Sequence, residues 1–354
     1  MSIFKNNLTI SVFGESHGPY IGITIHNFPA NIKLDLDKIK SDLALRNQFT
    51  IGKSKRTEEE DFKIISGSYQ EVTTGAPLTF IIPNHDVNSQ PYLDNYGLAR
   101  PSHADYTAYL KYQGVNDFRG GGHLSGRLTA LYMILGSICE VELNKQGINV
   151  YTRIKSLYNI LDDSIVTDFN KLDPIFPVND ETKKSQMISL LQSLSDDSVG
   201  GIVETCVKGV KAGIGDPIFD NVESIISHLI FAIPGVKGIE FGSGFNITHL
   251  KGSEANDEME YQDNKVKFLS NHSGGIQGGI TNGEDIIFKT AIKPTASIAK
   301  PLKTINFINH QNSELKTLGR HDHSIVPKAC QVINALTKYA IYDLILGSKN
   351  EQLS

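Results

Sequence analysis

Residues 125 to 144 read as a helix that is apolar over a broad arc, entered directly from a run of glycines at 120 to 122. A helix of that kind belongs deep in an interior rather than on a surface. Residues 9 to 13 read as a short strand, and Ile21, Ile23 and Ile25 alternate with small or polar residues as a second one. Residues 78 to 82 form an apolar strand stopped by Pro83, and 201 to 210 alternate again. Helices are predicted over 36 to 46, capped by Asp35 with Leu36, Ile39 and Leu43 on one face, and over 180 to 195, 217 to 232 and 327 to 346. Residues 46 to 61 are polar and aperiodic and read as a loop. Residues 246 to 283 are loop-rich, with GGIQGG at 274 to 279. The mixture predicts an α+β fold with antiparallel strands rather than regular βαβ alternation.

With 354 residues, 40% of them hydrophobic, the chain can bury a large core in one domain or two. A net charge of −5 argues against a broad nucleic-acid-binding face. It leaves room for a local Arg/Lys cluster that binds a small anion. Cys139, Cys206 and Cys330 are far apart and odd in number. Neither a disulfide framework nor a zinc ribbon is expected of them, and each reads as a core residue. The N-terminus lacks the apolar core of a signal peptide, and no membrane-length apolar run is found, so a cytoplasmic protein is expected.

Several short motifs point elsewhere. Gly14-Glu15-Ser16-His17-Gly18 fits the GxSxG nucleophile elbow of α/β-hydrolases. Pro19 and a period-2 apolar run follow it, so the context is strand–turn–strand, and too little chain precedes it to build the required sheet. Gly52-Lys53-Ser54 resembles the end of a P-loop, yet the place of its first glycine is taken by Asn47, and no GxGxxG occurs. His321-Asp322-His323 crowd one short segment. Adjacent ligands rarely converge on one ion, so no metal is expected.

Four segments concentrate His, Arg, Ser and Gly beside expected strand ends and helix starts, where anions bind and protons move. They are GESHG at 14 to 18, RPSHADYT at 100 to 107, FRGGGHLSGRLTA at 118 to 130 and GRHD at 319 to 322. In this order they resemble chorismate synthase. SGSYQEVTTGAPLTFIIPNHD at 66 to 86, GVKGIEFGSGF at 235 to 245, NHSGGIQGGITNGEDI at 271 to 286 and KPTASI at 293 to 298 are similar to further stretches of that family. The resemblance runs from residue 10 to about residue 330. Each segment alone is weak; eight in sequence order are specific.

The resemblance implies a lyase that performs an anti-1,4-elimination of phosphate from 5-enolpyruvylshikimate 3-phosphate, giving chorismate in the shikimate route to aromatic amino acids. It implies a need for reduced FMN without net redox change, with transient electron transfer from the flavin and help from its N5 in taking up the C6 hydrogen. The implied fold is a single domain over 1–354, a β-α-β sandwich with long helices packed between antiparallel sheets, assembled as a homotetramer. The plain length points to the monofunctional form, supplied with reduced FMN by an external flavin reductase. NADPH enters only if a reductase activity is present.

Residue roles follow from the same resemblance. His17 matches the histidine that protonates the departing phosphate, which suits an imidazole titrating near neutrality; the alternative is a turn-capping histidine. His103 matches the histidine acting on the reduced flavin anion, or else is a loop histidine bonded to Asp105. Asp322 matches the aspartate that helps proton removal, or else pairs with Arg320. Arg46, Arg56 and Arg127 are expected toward the substrate, whose phosphate and two carboxylates need forked donors. For Arg46 the alternative is a solvated helix end, and Lys53 and Lys55 share the Arg56 loop. His123, Leu124, Ser125, Gly278, Lys293, Pro294, Thr295, Ala296, Ser297 and Arg320 match FMN contacts, with pure turn positions as the alternative for the glycines.

The chain departs from the family pattern in places. The arginine run around position 46 is Leu45-Arg46-Asn47, the usual Arg at 123 is His123, the Pro after the last Asp is His323, and the first Ser of KPTSSI is Ala296. The changes around 46 and 123 remove positive charge and predict weaker flavin or substrate binding. A non-catalytic flavin-binding descendant is the alternative function. Retention of His17, His103 and Asp322 argues against it.

Overall fold

The computed structural model describes residues 2–51, 61–85, 87–316 and 322–351, with side chains described through residue 348. Lys53, Lys55, Arg56, Arg320 and His321 lie outside the described residues.

The first sheet has the order β1 (Ile3–Lys5), β2 (Thr9–Gly14), β3 (Tyr20–His26), β7 (Leu78–Pro83) and β4 (Lys63–Ser66), antiparallel throughout. The period-2 pattern is realised: Ile21, Ile23 and Ile25 of β3 and Leu78, Phe80 and Ile82 of β7 are all buried. The second sheet has the order β11 (Val236–Phe241), β16 (Ile286–Ile292), β10 (Gly201–Lys208), β8 (Asn149–Leu157) and β9 (Ile160–Leu161). Small ribbons complete the strands: β5–β6 (Ser68–Tyr69, Val72–Thr73), β12–β13 (Met259–Gln262, Lys265–Phe268), β14–β15 (Ile276–Gln277, Ile280–Thr281) and β17–β18 (Leu302–Asn306, Gln311–Leu315).

The helices are α1 (Leu36–Gln48), α2 (Gln90–Asp94), α3 (Asp105–Lys111), α4 (Thr129–Asn144), α5 (Glu181–Ser193), α6 (Val222–Ile230), α7 (Gly252–Ala255) and α8 (Val326–Glu351). Helix α4 touches β3 of one sheet and β8 of the other, and α8 packs on α4, β8 and β10. The layers are therefore sheet, helices, sheet, with nearly all the buried apolar side chains in one continuous cluster. At Gly136 the α4 and α8 backbones nearly touch: a Cβ there would lie 2.5 Å from Ala335 Cα. Ion pairs of Lys38 and Lys338 with Glu140 (2.5 and 2.9 Å) tie α1, α4 and α8 together on their polar side.

The central helix starts later than the sequence predicts. Ser125 is extended (ψ 144°), its hydroxyl accepts the Arg127 N–H, and Gly126–Leu128 is a 3-10 turn before α4 proper. Serine favours this capping role over a helical position. The stretch Arg119–Asn144 is long and apolar enough to cross a membrane by composition, but most of it is buried, as in the core helix of a globular protein. Cys139, Cys206 and Cys330 are buried and free of disulfides.

Candidate active site

The GESHG segment closes the turn between β2 and β3, where Gly14 pairs with Ile21. The context is strand–turn–strand, unlike a hydrolase elbow. Ser16 N–H donates to Gly122 O (3.0 Å), which brings the glycine run against the turn. Asn84 follows the last residue of β7 and clamps the same turn. Its Nδ2 donates to Glu15 O (3.0 Å) and Gly18 O (2.8 Å). Buried Arg127 donates from Nε to Asn84 Oδ1 (3.1 Å) and from Nη2 to Pro83 O (3.3 Å). The guanidinium thus orients the Asn84 amide with its nitrogen toward the turn.

His17 projects from this clamped turn and is 8% exposed. Its Nδ1 lies 2.9 Å from Ser89 Oγ, and the Tyr92 ring of α2 meets it edge to face at 5.3 Å between centroids. Beneath it, Gly120 has φ +61°, and a Cβ there would lie 2.4 Å from both Cδ2 and Nε2 of the ring. Asp117, in the same loop, takes a forked pair of bonds from Arg119 Nε and Nη2 (2.8 Å each). That guanidinium holds its carboxyl below the usual carboxylate range, and the charge of His17 adds to the effect. An ionised carboxylate therefore sits within electrostatic reach of the imidazole.

From Tyr92 the contacts run on to the second histidine. Arg100 stacks over the Tyr92 ring at 5.3 Å and grips Asp105 with Nε and Nη2 (2.8 and 2.7 Å). Burial alone would raise the Asp105 carboxyl, but Arg100 keeps it below its ordinary value. His103 donates its N–H to Arg100 O (3.1 Å), and its Nε2 lies 2.8 Å from Ser297 Oγ. The His103 ring bonds Ser297, while the Asp105 carboxylate is gripped by Arg100.

The segment after β16 faces His103. Lys293 Nζ donates to Ser102 O (2.6 Å). Burial, reinforced by the like charge of Lys237, pushes the Lys293 pKa down, a sign of local positive charge awaiting an anion. Thr295 Oγ1 is buried with no hydrogen-bond partner among the described residues, while its carbonyl accepts from Ser198 Oγ (2.7 Å). Asp322 precedes α8 beside this group: Val199 N–H donates to His323 O (2.9 Å), and Gly200 packs directly on Ile292 O and Pro294 N. A half-buried lysine with a depressed pKa and a hydroxyl without a hydrogen-bond partner among the described residues fit a phosphate-bearing cofactor.

The other expected contacts are distributed. His123, Leu124 and Ser125 line one wall of a cavity of about 490 Å³, together with Ser2, Val12 and His228. Residues 293 to 297 and Gly278 are not on its lining. Gly278 and Gly279, both with positive φ, form the two-residue turn of the β14–β15 hairpin, where Gly279 packs on Asn221. Arg46 is buried, not solvated: Nη2 donates to Gly126 O (3.1 Å) and Nε to Thr129 Oγ1 (3.2 Å). The departures also have local partners. His123 Nδ1 donates to Gly14 O (2.8 Å) and its Nε2 is bonded by Ser2 Oγ, so it pins the first strand to the GESHG turn. His323 Nδ1 donates to Leu191 O (2.8 Å).

Asn84, Ser89, Tyr92 and Asp117 do not stand out in the sequence as site residues. Asn84 had a local signal, an Asn after a strand-ending Pro. Ser89 and Tyr92 had none, because their roles depend on how the 84–105 segment folds back over the turn.

The chorismate synthase family model matches residues 8–346. The chain belongs to the chorismate synthase family. A chorismate synthase of Korarchaeum cryptofilum is 39% identical over 98% of both chains. One of Thermococcus kodakarensis is 37% identical over 96% of both. A crystal structure of a chorismate synthase superposes with a TM-score of 0.71 over 96% of this chain and 92% of the other, at 24% identity, which bears on the fold. The activity is that of the family, a carbon–oxygen lyase reaction that forms chorismate.

Proposed function

We propose that this chain eliminates phosphate from 5-enolpyruvylshikimate 3-phosphate with reduced FMN as cofactor, and that His17, His103 and Asp322 carry the proton chemistry. The observation that carries this reading is the linked pair of histidines. His17 and His103 belong to distant segments, yet one run of contacts through Tyr92, Arg100 and Asp105 fixes them relative to each other. When bound, the reduced flavin supplies electron density that assists departure of the phosphate. His17, near the ionised Asp117, holds a proton at Nε2 for the departing phosphate oxygen. His103, oriented by Ser297, places a proton donor where anionic charge has to be balanced. Asp322 accepts the proton that leaves the substrate.

Lys293 and Thr295 are the residues best suited to the flavin phosphate, with Ser297 nearby and Gly278 as a further flavin contact in this reading. His123, Leu124 and Ser125 contact the flavin from the helix entry, and Pro294, Ala296 and Arg320 complete its contacts. In this reading Arg46, Arg56 and Arg127 serve the anionic substrate. The continuous core supports one domain over 1–354. Exposed Phe245, Met259 and Tyr261 support a homotetramer that covers them. We place the protein in the cytoplasm, fed by an external flavin reductase.

The test is anaerobic turnover of 5-enolpyruvylshikimate 3-phosphate with chemically reduced FMN, assayed for chorismate and phosphate, and repeated with oxidised FMN plus NADPH. Product with reduced FMN alone is expected. Product in both would replace the external reductase by a built-in one. Product in neither, from folded protein that binds FMN, would overturn the reading in favour of a non-catalytic flavin binder.

A further inference from the structure

Ser89 stands at the N-terminus of α2, where a serine ordinarily turns its hydroxyl back to cap the helix. Here it makes no side-chain cap, although its carbonyl accepts from Tyr92 and Leu93 N–H (3.1 and 3.2 Å). The hydroxyl points instead to His17 Nδ1 at 2.9 Å. A five-residue helix with no buried residue forgoes its cap. Tyr92, one turn on, holds the same ring by its edge.

We propose that Ser89 is a positioning residue for His17, accepting Nδ1–H and so committing Nε2 to the exchange of the catalytic proton. The inference rests on the reading of His17 as the proton donor. A neutral imidazole has one N–H, and the hydrogen bond at one nitrogen selects the tautomer at the other. With Nδ1–H held by Ser89, the ring gains and loses its second proton at Nε2, on the edge that lies over Gly120. The same acceptor stabilises the imidazolium. Among the described residues, titratable and charged groups near the ring include Asp117, itself held by Arg119, Tyr92 against the ring edge, and Glu15 in the same turn.

The experiment compares Ser89→Ala, Ser89→Thr, His17→Ala and the Ser89→Ala/His17→Ala double variant. It uses single-turnover and steady-state kinetics across pH, with reduced FMN in excess. Ser89→Ala is expected to lower kcat about 10- to 100-fold, the size of a lost hydrogen bond to a charged group. KM should hold, and the alkaline limb of the kcat profile should move about one unit lower. Ser89→Thr restores the hydroxyl and most of the rate. In the His17→Ala background, Ser89→Ala should have no further effect. Without cofactor, the ¹⁵N shifts of the His17 ring should report an Nδ1–H tautomer that Ser89→Ala loses. An unshifted pH profile and tautomer in Ser89→Ala, with His17→Ala inactive, would overturn the role of Ser89. Full activity in His17→Ala would instead overturn the reading of His17 beneath it.

Discussion

The edge of the His17 imidazole lies against the bare backbone of Gly120, so close that a Cβ at 120 would come within 2.4 Å of Nε2. A methyl there has to displace the ring or the loop. Gly120→Ala is therefore expected to lower kcat by about 10²–10⁴, the usual worth of a positioned general acid. Gly121→Ala is the control. It bears the same kind of left-handed backbone (φ +82°), but its Cβ would meet only Ser125 Cβ, at 3.7 Å. Both substitutions carry strain of about 1–2 kcal/mol, so their melting temperatures should fall alike while only the first loses turnover. Equal loss of turnover would mean that the contact with His17 is incidental.

Asn84 gives a second handle on the same turn. Its amide nitrogen donates to two carbonyls while its oxygen accepts from Arg127. Asn84→Asp keeps the shape but turns both donors into acceptors facing Glu15 O and Gly18 O. Loss of two donated bonds, with acceptors left opposed, costs about 2–4 kcal/mol in the local structure. Turnover is expected to fall further in Asn84→Asp than in Asn84→Ala, which lets water solvate the carbonyls. Steady-state kinetics of the two variants decide it, and the reverse order would refute the clamp.

Much of this was legible beforehand, for physical reasons. Ile21, Ile23 and Ile25 declare a half-buried strand by alternation, and the arc of α4 declares a central helix, because burial acts on periodicity directly. The start of α4 was misplaced because Ser125 reads as well for a helix as for its cap. His17, His103 and Asp322 stand out as candidates only through family resemblance. Ser89, Tyr92 and Asp117 were not, since their contacts span 72, 75 and 100 positions of chain that only the folded 84–105 segment and glycine loop bring together. The polar partners of His123, which reconcile its departure from arginine, were equally hidden: one is a residue 121 positions away.

Helices α4 and α8 cross where Gly136 meets Ala335. An ordinary helical Gly→Ala change gains up to about 1 kcal/mol from propensity. Here the new methyl lies 2.5 Å from both Cα and Cβ of Ala335, on backbone that cannot swing aside. Overpacking of this kind costs about 1–3 kcal/mol, so Gly136→Ala should lower the urea midpoint. A raised midpoint would show that the two helices separate more easily than their packing suggests.

Asp343 of α8 is fully buried, with Oδ1 accepting Leu8 N–H and Oδ2 accepting Asn6 Nδ2 (2.6 Å each). Burial pushes its carboxyl up to about 6, against the pull of those hydrogen bonds. The unfolded value is about 3.9, so between the two the folded state holds the extra proton. Its contribution to stability is full below about pH 4 and is lost as pH rises through about 6. Asp343→Asn, neutral at every pH, should therefore exceed the parent by about 1–3 kcal/mol at pH 7.5 and show a flatter profile from pH 4 to 6. Urea titrations at pH 4.5 and 7.5 measure both; a variant weaker than its parent at pH 7.5 would mean that the hydrogen bonds outweigh burial.

Lys293 and Thr295 make the sharpest claim about the cofactor, because it separates phosphate recognition from recognition of the ring. Lys293 is depressed by burial and by Lys237, and Thr295 Oγ1 lacks a partner among the described residues. Both deficits are relieved by a phosphate, which brings negative charge and three acceptor oxygens. Lys293→Met and Thr295→Val should each weaken FMN binding, the first by about 10- to 100-fold. Riboflavin has the same ring and no phosphate, so its weaker affinity should stay within about twofold of the parent's. Fluorescence titration with the two flavins separates the cases. If both lose affinity together, the variants have disturbed the fold around His103 and Ser297. If neither does, the phosphate is held elsewhere, with the cavity at His123 as the next place to look.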